Sequence, residues 1–174
     1  MLLIAATFCL VEFNDANLKR LQKINFEKLS AMTGIYHVFT IKATLTEVFN
    51  GISTPRGLNS WWTEKSEGKA IVGTIYQLNF GEPYQWEAVV TKSTVNKAFE
   101  LQMTKADEEW METKIGFILL HKNNRTKVSF YHTGWRNISE NFMVSNYCWA
   151  MYLRILKRSI ERGEQVPYQK RLSV

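Results

Sequence analysis

The alternation of apolar and polar residues predicts six β-strands in the middle of the chain. The first strand begins at Ile35, where the segment IYHVFTIKA is rich in β-branched and aromatic residues. Five further segments of this kind follow from Lys69 onward, separated by short turns such as GEP, TVN, KADEE and NN. Short turns join neighbouring antiparallel strands, so these five segments predict a meander.

Two short helices are predicted between the first and the second strand. Thr44 and Glu47 form a capping box, in which each side chain accepts a hydrogen bond from the other residue's backbone N–H. Thr54-Pro55 predicts the start of the second helix, because proline is tolerated in a first helical turn. In the first helix, apolar residues recur with helical spacing: Leu45, Val48, Phe49 and Ile52.

The last predicted element is a long amphipathic helix over residues 139–162. About 24 residues of helix measure roughly 36 Å, which is enough to cross a whole sheet. Gly163 follows at the position where helices commonly end. The fold class is therefore α+β, a curved six-stranded antiparallel sheet wrapped around this helix. The apolar stripe of the helix is expected to contain Phe142, Asn146, Trp149, Leu153, Leu156 and Ile160, widened by Met143, Tyr147 and Ala150.

Trp61 and Trp62 lie side by side at the end of the second short helix. Neighbouring side chains on a helix point about 100° apart, so one buried face does not easily take both. One indole is expected in the core beside Phe49 and Ile52. The other is expected over the mouth of a cavity, where an amphipathic ring is apolar on one side and wet on the other. Trp62 is expected to be the deeper of the two.

Composition indicates one ordinary globular domain. The chain has 174 residues, of which 45% are hydrophobic, so a core forms without disulfides or metals. Cys9 and Cys148 lie far apart and form no metal-binding pair, which favours reduced thiols and a cytoplasmic protein.

The net charge of +6 is spread along the chain, and neither nucleic acid nor a membrane is expected as a partner. One basic cluster is interpreted as a solvated helix end and tail: Lys157, Arg158, Arg162, Lys170 and Arg171.

Residues 1–31 are predicted to be an extension that precedes the domain, which is expected over residues 32–165 and is followed by a tail over residues 166–174. Residues 2–11 are largely apolar, about half the length that spans a membrane. They resemble the centre of a signal peptide, but no Lys or Arg precedes them and no clear cleavage site follows. The alternative is an upstream start codon, with Met32 as the start of the protein. A helix is predicted over about residues 16–30.

Three marks occur in a characteristic order along the chain. They are the Trp61-Trp62 pair after a short helix, the segment HTGW at residues 132–135, and the spacing of Trp149, Leu153, Leu156 and Gly163. With the segments LTEVFNGISTPRGLNSWWTE, GTIYQLNF, YQWEAVV, ETKIGFILLHKNNRTKVSFYHTGW and CWAMYLRILKRSIERG, they resemble the START-like, or birch-allergen-like, helix-grip superfamily (SRPBCC). Within it, the chain is similar to the C-terminal domain of the activator of the ATPase of the 90-kDa heat-shock chaperone. The resemblance covers residues 35–163.

The resemblance implies a helix-grip fold with an internal, mostly apolar cavity. Members of the superfamily bind lipids, steroids, polyketides or other hydrophobic small molecules, and some are aromatases or cyclases. The co-chaperone branch binds the chaperone through its outer surface. The activator also carries a separate N-terminal domain, which residues 1–34 are too short to supply, so full ATPase activation is not expected here.

Polar residues on otherwise apolar faces are the first candidates for ligand contacts. Asn146 and His132 are of this kind, and a buried polar group needs a hydrogen bond from a neighbouring side chain, a water or a ligand. Plain core packing is the alternative interpretation for every candidate. The residues predicted to line the cavity are Trp62, Trp86, Phe99, Leu101, Met103, Phe117, Phe130, His132, Asn146, Trp149 and Leu153.

The sequence offers no catalytic or metal-binding constellation. Its two Asp residues, Asp15 and Asp107, lie in the leader region and in a turn, which argues against a Ser-His-Asp triad. The three histidines, His37, His121 and His132, lie on predicted strands without metal-ligand spacing. We therefore predict no catalytic residue, no metal and no cofactor.

Three functional hypotheses follow. The leading one is a cytoplasmic module that binds a hydrophobic small molecule or lipid in an apolar cavity and carries out no reaction. The second is a co-chaperone-like protein of the stress response, which binds a 90-kDa heat-shock-type chaperone through its basic surface in a salt-sensitive manner. The third is a cyclase or hydrolase, which needs two titratable groups to converge inside the cavity.

Overall fold

A computed structural model describes residues 33–173 of the chain. The predicted helix over residues 16–30 and the proposed start at Met32 lie outside the described residues. The α-helices are α1 (Leu45–Ser53), α2 (Pro55–Trp61) and α3 (Glu140–Arg162), and two 3₁₀ helices cover Glu108–Trp110 and Tyr168–Ser173. The strands are β1 (Gly34–Ile41), β2 (Lys65–Glu67), β3 (Ile75–Asn79), β4 (Gln85–Thr94), β5 (Ala98–Lys105), β6 (Lys114–Lys122) and β7 (Arg125–Thr133).

The strands form one sheet in the order β1-β7-β6-β5-β4-β3-β2, and neighbouring strands are antiparallel. Because β1 and β2 lie at opposite edges, α1 and α2 carry the chain from one edge to the other. The predicted α+β class, with two short helices after the first strand and a long last helix, is confirmed.

The predicted strand count of six is one too low. The additional strand, β2, has only three residues, KSE, and pairs with β3 through its backbone in the register Lys65↔Asn79 to Glu67↔Gln77. So short a polar segment shows no alternation of apolar and polar residues, and the sequence pattern therefore misses it. The next predicted strand is shorter than expected, because residues 71–73 form a turn in which Gly73 has φ +86°.

The predicted helix boundaries are confirmed by their caps. Thr44 Oγ1 accepts from the backbone N–H of Glu47 at 3.2 Å, and the Glu47 carboxylate accepts from the N–H of Thr44 at 2.8 Å. Ser139 caps the start of α3, and Gly163 ends it in the left-handed conformation with φ +66°. These bonds satisfy backbone groups that a helix terminus leaves unpaired.

A glycine sets the close approach of α1 and α2. A Cβ atom at Gly57 would lie 2.3 Å from the carbonyl oxygen of Asn50, which is closer than any non-bonded contact allows. Gly57 therefore lets the two helices meet at the sharp corner that places the tryptophan pair.

Helix α3 lies against the inner face of the sheet and forms the core with it. Trp149, Leu153, Ile155 and Leu156 are the large buried residues of the helix. On the sheet, the core residues of β5, β6 and β7 are Phe99, Leu101, Met103, Ile115, Phe117, Leu119, Val128 and Phe130.

The residues after α3 pack onto the domain. Tyr168 donates its hydroxyl to the carbonyl of Phe80 at 2.8 Å, and the Arg171 guanidinium donates to the carbonyls of Asn59, Thr63 and Val166. The expectation of a solvated tail is therefore wrong for Arg171, which is buried. The Asn59 carbonyl lies in the last turn of α2, where the helix dipole attracts positive charge. The predicted domain limits of 32 and 165 remain a prediction.

Candidate functional site

A cleft of about 270 Å³ opens beside the first half of α3, and we call it the aromatic cleft. Its other walls come from the end of α2, the β3–β4 turn region and the loop between β5 and β6. The lining residues with aromatic side chains are Trp62, Phe80, Tyr84, Trp86, Trp110, Trp149 and Tyr152. The remaining lining residues are Asp107, Asn141, Val144, Ser145 and Cys148.

Five of these aromatic rings form a closed circuit, which we call the ring circuit. Its neighbouring centroids lie 5.3 Å apart for Trp62–Phe80, 5.2 Å for Phe80–Trp86, 5.0 Å for Trp86–Trp110, 5.9 Å for Trp110–Trp149 and 5.3 Å for Trp149–Trp62. The rings meet at interplanar angles between 33° and 63°. Aromatic rings at these distances and angles are in favourable contact with one another and bury large apolar areas.

Both tryptophans of the pair are buried in the core and stack on each other with centroids 5.9 Å apart, and only Trp62 also lines the cleft. Trp61 is 0% exposed, packs edge-on against Phe117 and donates its indole N–H to the carbonyl of Gly51 at 3.0 Å. Trp62 is 3% exposed and turns its ring to Phe80 and Trp149, where it lines the cleft. The expectation that Trp62 is the deeper ring is wrong. The indole N–H of Trp61 finds a backbone carbonyl inside the fold, whereas Trp62 follows α2 with a non-helical backbone.

Trp110 completes the ring circuit and is a site residue that sequence reasoning missed. It ends the 3₁₀ helix that follows the acidic turn, and its backbone N–H bonds the carbonyl of Asp107 at 2.9 Å. The turn KADEE ends at Glu109, which predicts that the next strand begins with Trp110, whereas the strand begins at Lys114. The sequence does carry a signal for Trp110 as a site residue, because this tryptophan directly follows acidic residues in a segment between two strands.

His132 lies behind the cleft and ties its walls together through a directed chain of hydrogen bonds. The indole N–H of Trp149 only donates, so His132 Nδ1 accepts it, at 3.0 Å. The ring proton therefore resides on Nε2, which donates to Thr113 Oγ1 at 2.9 Å. The Thr113 hydroxyl in turn donates to the carbonyl of Trp110 at 2.6 Å. The chain thus links α3, β7 and the loop that carries Trp110.

Burial keeps this histidine neutral. His132 is fully buried, and the ring centroids of Trp110 and Trp135 each lie 4.6 Å from its own. Desolvation in this apolar surround lowers the pKa of His132 to about 3. With both ring nitrogens engaged, His132 positions the two indoles and does not face the cleft as an acid or base.

One side of the cleft carries the polar groups. Ser145 is buried and lies one helical turn before Trp149 on α3, and Cys148 and Tyr152 extend the same side. Burial raises the pKa of the Cys148 thiol and raises the pKa of Tyr152 to about 12, so both groups are neutral at pH 7. Among the residues that the structure describes, Asp107 is the one lining residue with a formally charged side chain.

The predicted cavity residues separate into three groups. Trp62, Trp86 and Trp149 line the aromatic cleft, and His132 supports it from behind. Asn146 lies elsewhere on α3. The other six are buried in the core and do not belong to the lining of the cleft: Phe99, Leu101, Met103, Phe117, Phe130 and Leu153.

The predicted inward orientation of Asn146 is wrong. Asn146 is exposed, and its interaction partner is the half-buried His37 on β1. The apolar stripe was extended to the wrong side in the first half of α3, where Met143 and Tyr147 are exposed as well. The inward side there carries Ser145, a small polar residue that a hydrophobic pattern does not count.

Two searches across residues 33–173 bear on other functions. No helix in this part of the chain is long and apolar enough to cross a bilayer. Within the same residues, no group of three or more His, Cys, Asp and Glu side chains is arranged to hold a metal ion.

An antiparallel sheet that holds a long C-terminal helix on its inner face defines a helix-grip protein of the START-like class. The family described as "Activator of Hsp90 ATPase homolog 1-like protein" matches residues 42–161, and the chain belongs to this family. The resemblance found in the sequence is thereby confirmed. A comparison with curated proteins found no match.

Solved structures similar to the chain support the same assignment. The Aha1 dimer from Colwellia psychrerythraea is 31% identical with a TM-score of 0.70, over 76% of this chain and 99% of that chain. Protein SSP2350 from Staphylococcus saprophyticus is 15% identical with a TM-score of 0.66, over 77% and 96%. CalU16 from Micromonospora echinospora is 16% identical with a TM-score of 0.60, over 79% and 82%. At these lower identities, the last two show the fold alone.

Proposed function

We propose that the protein binds an apolar, ring-sized small molecule in the aromatic cleft and carries out no reaction on it. The observation that carries the proposal is the aromatic cleft itself, an open space of about 270 Å³ in whose lining seven aromatic side chains, including all five rings of the circuit, take part. Ligand sites of small molecules typically measure roughly 300–1,000 Å³, and the cleft of about 270 Å³ lies just below that range, so it suits a small ligand.

The lining suits binding by burial with a few orienting contacts. Seven aromatic side chains supply apolar area, and burial of apolar area contributes roughly 25 cal/mol per Å². Ser145, Tyr152 and Asn141 offer hydroxyl and amide groups on one side, which would orient a polar substituent of the ligand. This division between an apolar wall and a polar strip is typical of ligand sites.

The geometry favours binding over catalysis. A cyclase or hydrolase would need His132 to work beside a Glu or Tyr that opens onto the cleft. Its ring nitrogens bond Thr113 and Trp149 instead, and its lowered pKa keeps it neutral. Within this proposal the protein works in the cytoplasm as a carrier or sensor of its ligand.

A pair of matched helix variants tests the proposal. Val144 and Met143 are neighbours on α3 with exposed fractions of 53% and 57%, but only Val144 lines the cleft. In Val144→Trp the added indole covers the cleft, whereas in Met143→Trp it points elsewhere. Titration with benzyl alcohol, followed by tryptophan fluorescence, should show binding to the wild type and Met143→Trp, and loss in Val144→Trp. Equal binding to all three would place the site outside the cleft and defeat the proposal.

A second candidate function is association with a 90-kDa heat-shock-type chaperone. It is favoured by the family description and by the 31% identical Aha1 dimer. The contact would use the outer surface of this basic chain, and it would weaken as salt screens the charges. The test is the ATPase rate of such a chaperone with and without the protein at low and high salt. An unchanged rate, with no complex on gel filtration, would exclude this candidate.

A further inference from the structure

We propose that the aromatic cleft prefers an organic cation, a quaternary or protonated amine, to a neutral molecule of the same shape. This inference rests on the proposed function, because it specifies the charge of the molecule that the same cleft binds.

The first support is the geometry of the ring circuit. The face of an aromatic ring carries negative potential, and a cation within about 6 Å of its centroid is attracted, most strongly by an indole. Four of the five rings in the circuit are indoles, and their neighbouring centroids lie between 5.0 and 5.9 Å apart. Trp86 and Trp110 are only partly buried and line the cleft, so parts of their rings are open to a ligand there.

The second support is the charge of the lining. The chain carries 22 Lys and Arg residues and a net charge of +6, yet none of the Lys and Arg residues between positions 33 and 173 lines the cleft. Within these described residues, the single charged side chain of the lining is the Asp107 carboxylate, which is exposed to solvent. A desolvated cation surrounded by indoles gains from such a counter-charge, whereas an anion would be repelled by it.

The charges around the cleft point to the end at which the cation binds. Asp107 begins an acidic run with Glu108 and Glu109, and Ser139 at the start of α3 donates to the Glu109 carboxylate. Arg171 lies towards the other end, where its charge reaches Tyr152. Its guanidinium donates to three backbone carbonyls. The geometry therefore places the cationic group at the Asp107 end.

Two probes of the same shape test the preference. Choline carries a trimethylammonium group where 3,3-dimethyl-1-butanol carries a neutral tert-butyl group, and the rest of the two molecules is alike. Dissociation constants are measured by NMR titration at low ionic strength. Choline should bind roughly tenfold more tightly, because cation–π contacts in a desolvated site contribute at that level. Equal binding, or tighter binding of the neutral probe, would overturn the inference.

A charge-neutral variant tests the role of Asp107. The Asp107 side chain makes no capping bond to the 3₁₀ helix that it precedes, so Asp107→Asn leaves the loop intact. The variant should lose roughly threefold in choline affinity, as expected for a solvent-exposed ion pair, and bind 3,3-dimethyl-1-butanol as the wild type does. Glu108→Gln is the matched control, because it removes the next carboxylate without touching the lining, and it should change neither affinity. An equal loss for both probes in Asp107→Asn would contradict the proposed counter-charge.

The two proposals fail in different ways. If the neutral probe binds in the cleft and choline does not, the proposed function stands and the cation preference falls. If Val144→Trp leaves the binding of both probes unchanged, the cleft is not the site and both proposals fall.

Discussion

The two halves of α3 face the same sheet but meet it in different ways. In the second half, Leu153, Ile155 and Leu156 are buried, and none of these three residues lines the cleft. In the first half, Trp149 and Ser145 face the aromatic cleft, and the opposite wall consists of indoles from α2, β4 and a loop. One helix therefore contributes both to a filled core and to an open site.

The difference follows from the shapes of the side chains. Branched aliphatic side chains interdigitate and fill a core at close to crystal density. The rings of the circuit are flat and rigid, and the indole N–H of Trp149 is fixed by its bond to His132. The comparison teaches that interdigitating aliphatic side chains fill the core, whereas flat rings border the cleft and leave an open space beside them.

The largest expected effect comes from truncation in the filled half. Leu156 is completely buried, so Leu156→Ala removes methyl groups from a packed site and leaves a void. We expect a loss of about 2–5 kcal/mol in the free energy of unfolding, measured by urea denaturation. The affinity of the folded variant for benzyl alcohol should stay at the wild-type value. A large loss of affinity would show that the two halves are not independent.

His132 is expected to make stability depend on pH. Its pKa is about 3 in the folded protein and about 6.5 in the unfolded chain, so between these values the unfolded state binds more protons. The free energy of unfolding should therefore decrease as the pH falls from about 6.5 towards 3. In His132→Gln, an amide that does not titrate replaces the imidazole, and this contribution should disappear. Urea denaturation of both proteins at pH 7, 5 and 4 gives the difference, and parallel pH profiles would contradict the account.

Removal of one indole from the ring circuit should affect binding more than stability. Trp110 is only half-buried, and Trp110→Leu keeps an apolar side chain at this position. We expect benzyl alcohol to bind roughly tenfold more weakly, since a favourable aromatic contact contributes about 0.5–1.5 kcal/mol. Phe142→Leu is the control, because Phe142 is also a half-buried aromatic residue but does not line the cleft. NMR titration of both variants would reveal whether the loss is specific to the circuit.

The smallest effect is expected at the rim. Tyr84 lines the cleft but is 47% exposed, so Tyr84→Ala should change the free energy of unfolding by less than about 0.5 kcal/mol. Its affinity for benzyl alcohol should fall about twofold, because one edge of the wall is lost. Tyr147→Ala removes a tyrosine that is 80% exposed and lies outside the lining, and it should change neither quantity. If the two variants behave alike, Tyr84 does not belong to the binding surface.

Much of the fold could be predicted because its signals are local. A few neighbouring residues determine each of three features: the capping box at Thr44, the start of α2 at Pro55 and the glycine that ends α3. Strand β2 gave no such signal, since three polar residues are held at the edge of the sheet only by pairing with β3.

The cleft was harder to predict because its shape depends on distant contacts. Trp62, Trp86 and Trp149 were expected at a cavity and line the cleft. Their separation from the packed phenylalanines depends on how the sheet curves against α3, which no local pattern encodes. Trp110 joins them only because its loop is bonded through Thr113 to His132.

The central claim is that a ligand enters the aromatic cleft and contacts the rings that line it. The most direct test is the set of six indole N–H signals in a two-dimensional ¹H–¹⁵N NMR spectrum during titration with benzyl alcohol. We predict that the signals of Trp62, Trp86 and Trp110 shift with a common dissociation constant, while the signal of Trp61, which is bonded to the carbonyl of Gly51, stays in place. Shifts at Trp61 without shifts at the cleft indoles, or no shifts at saturating probe, would contradict the account.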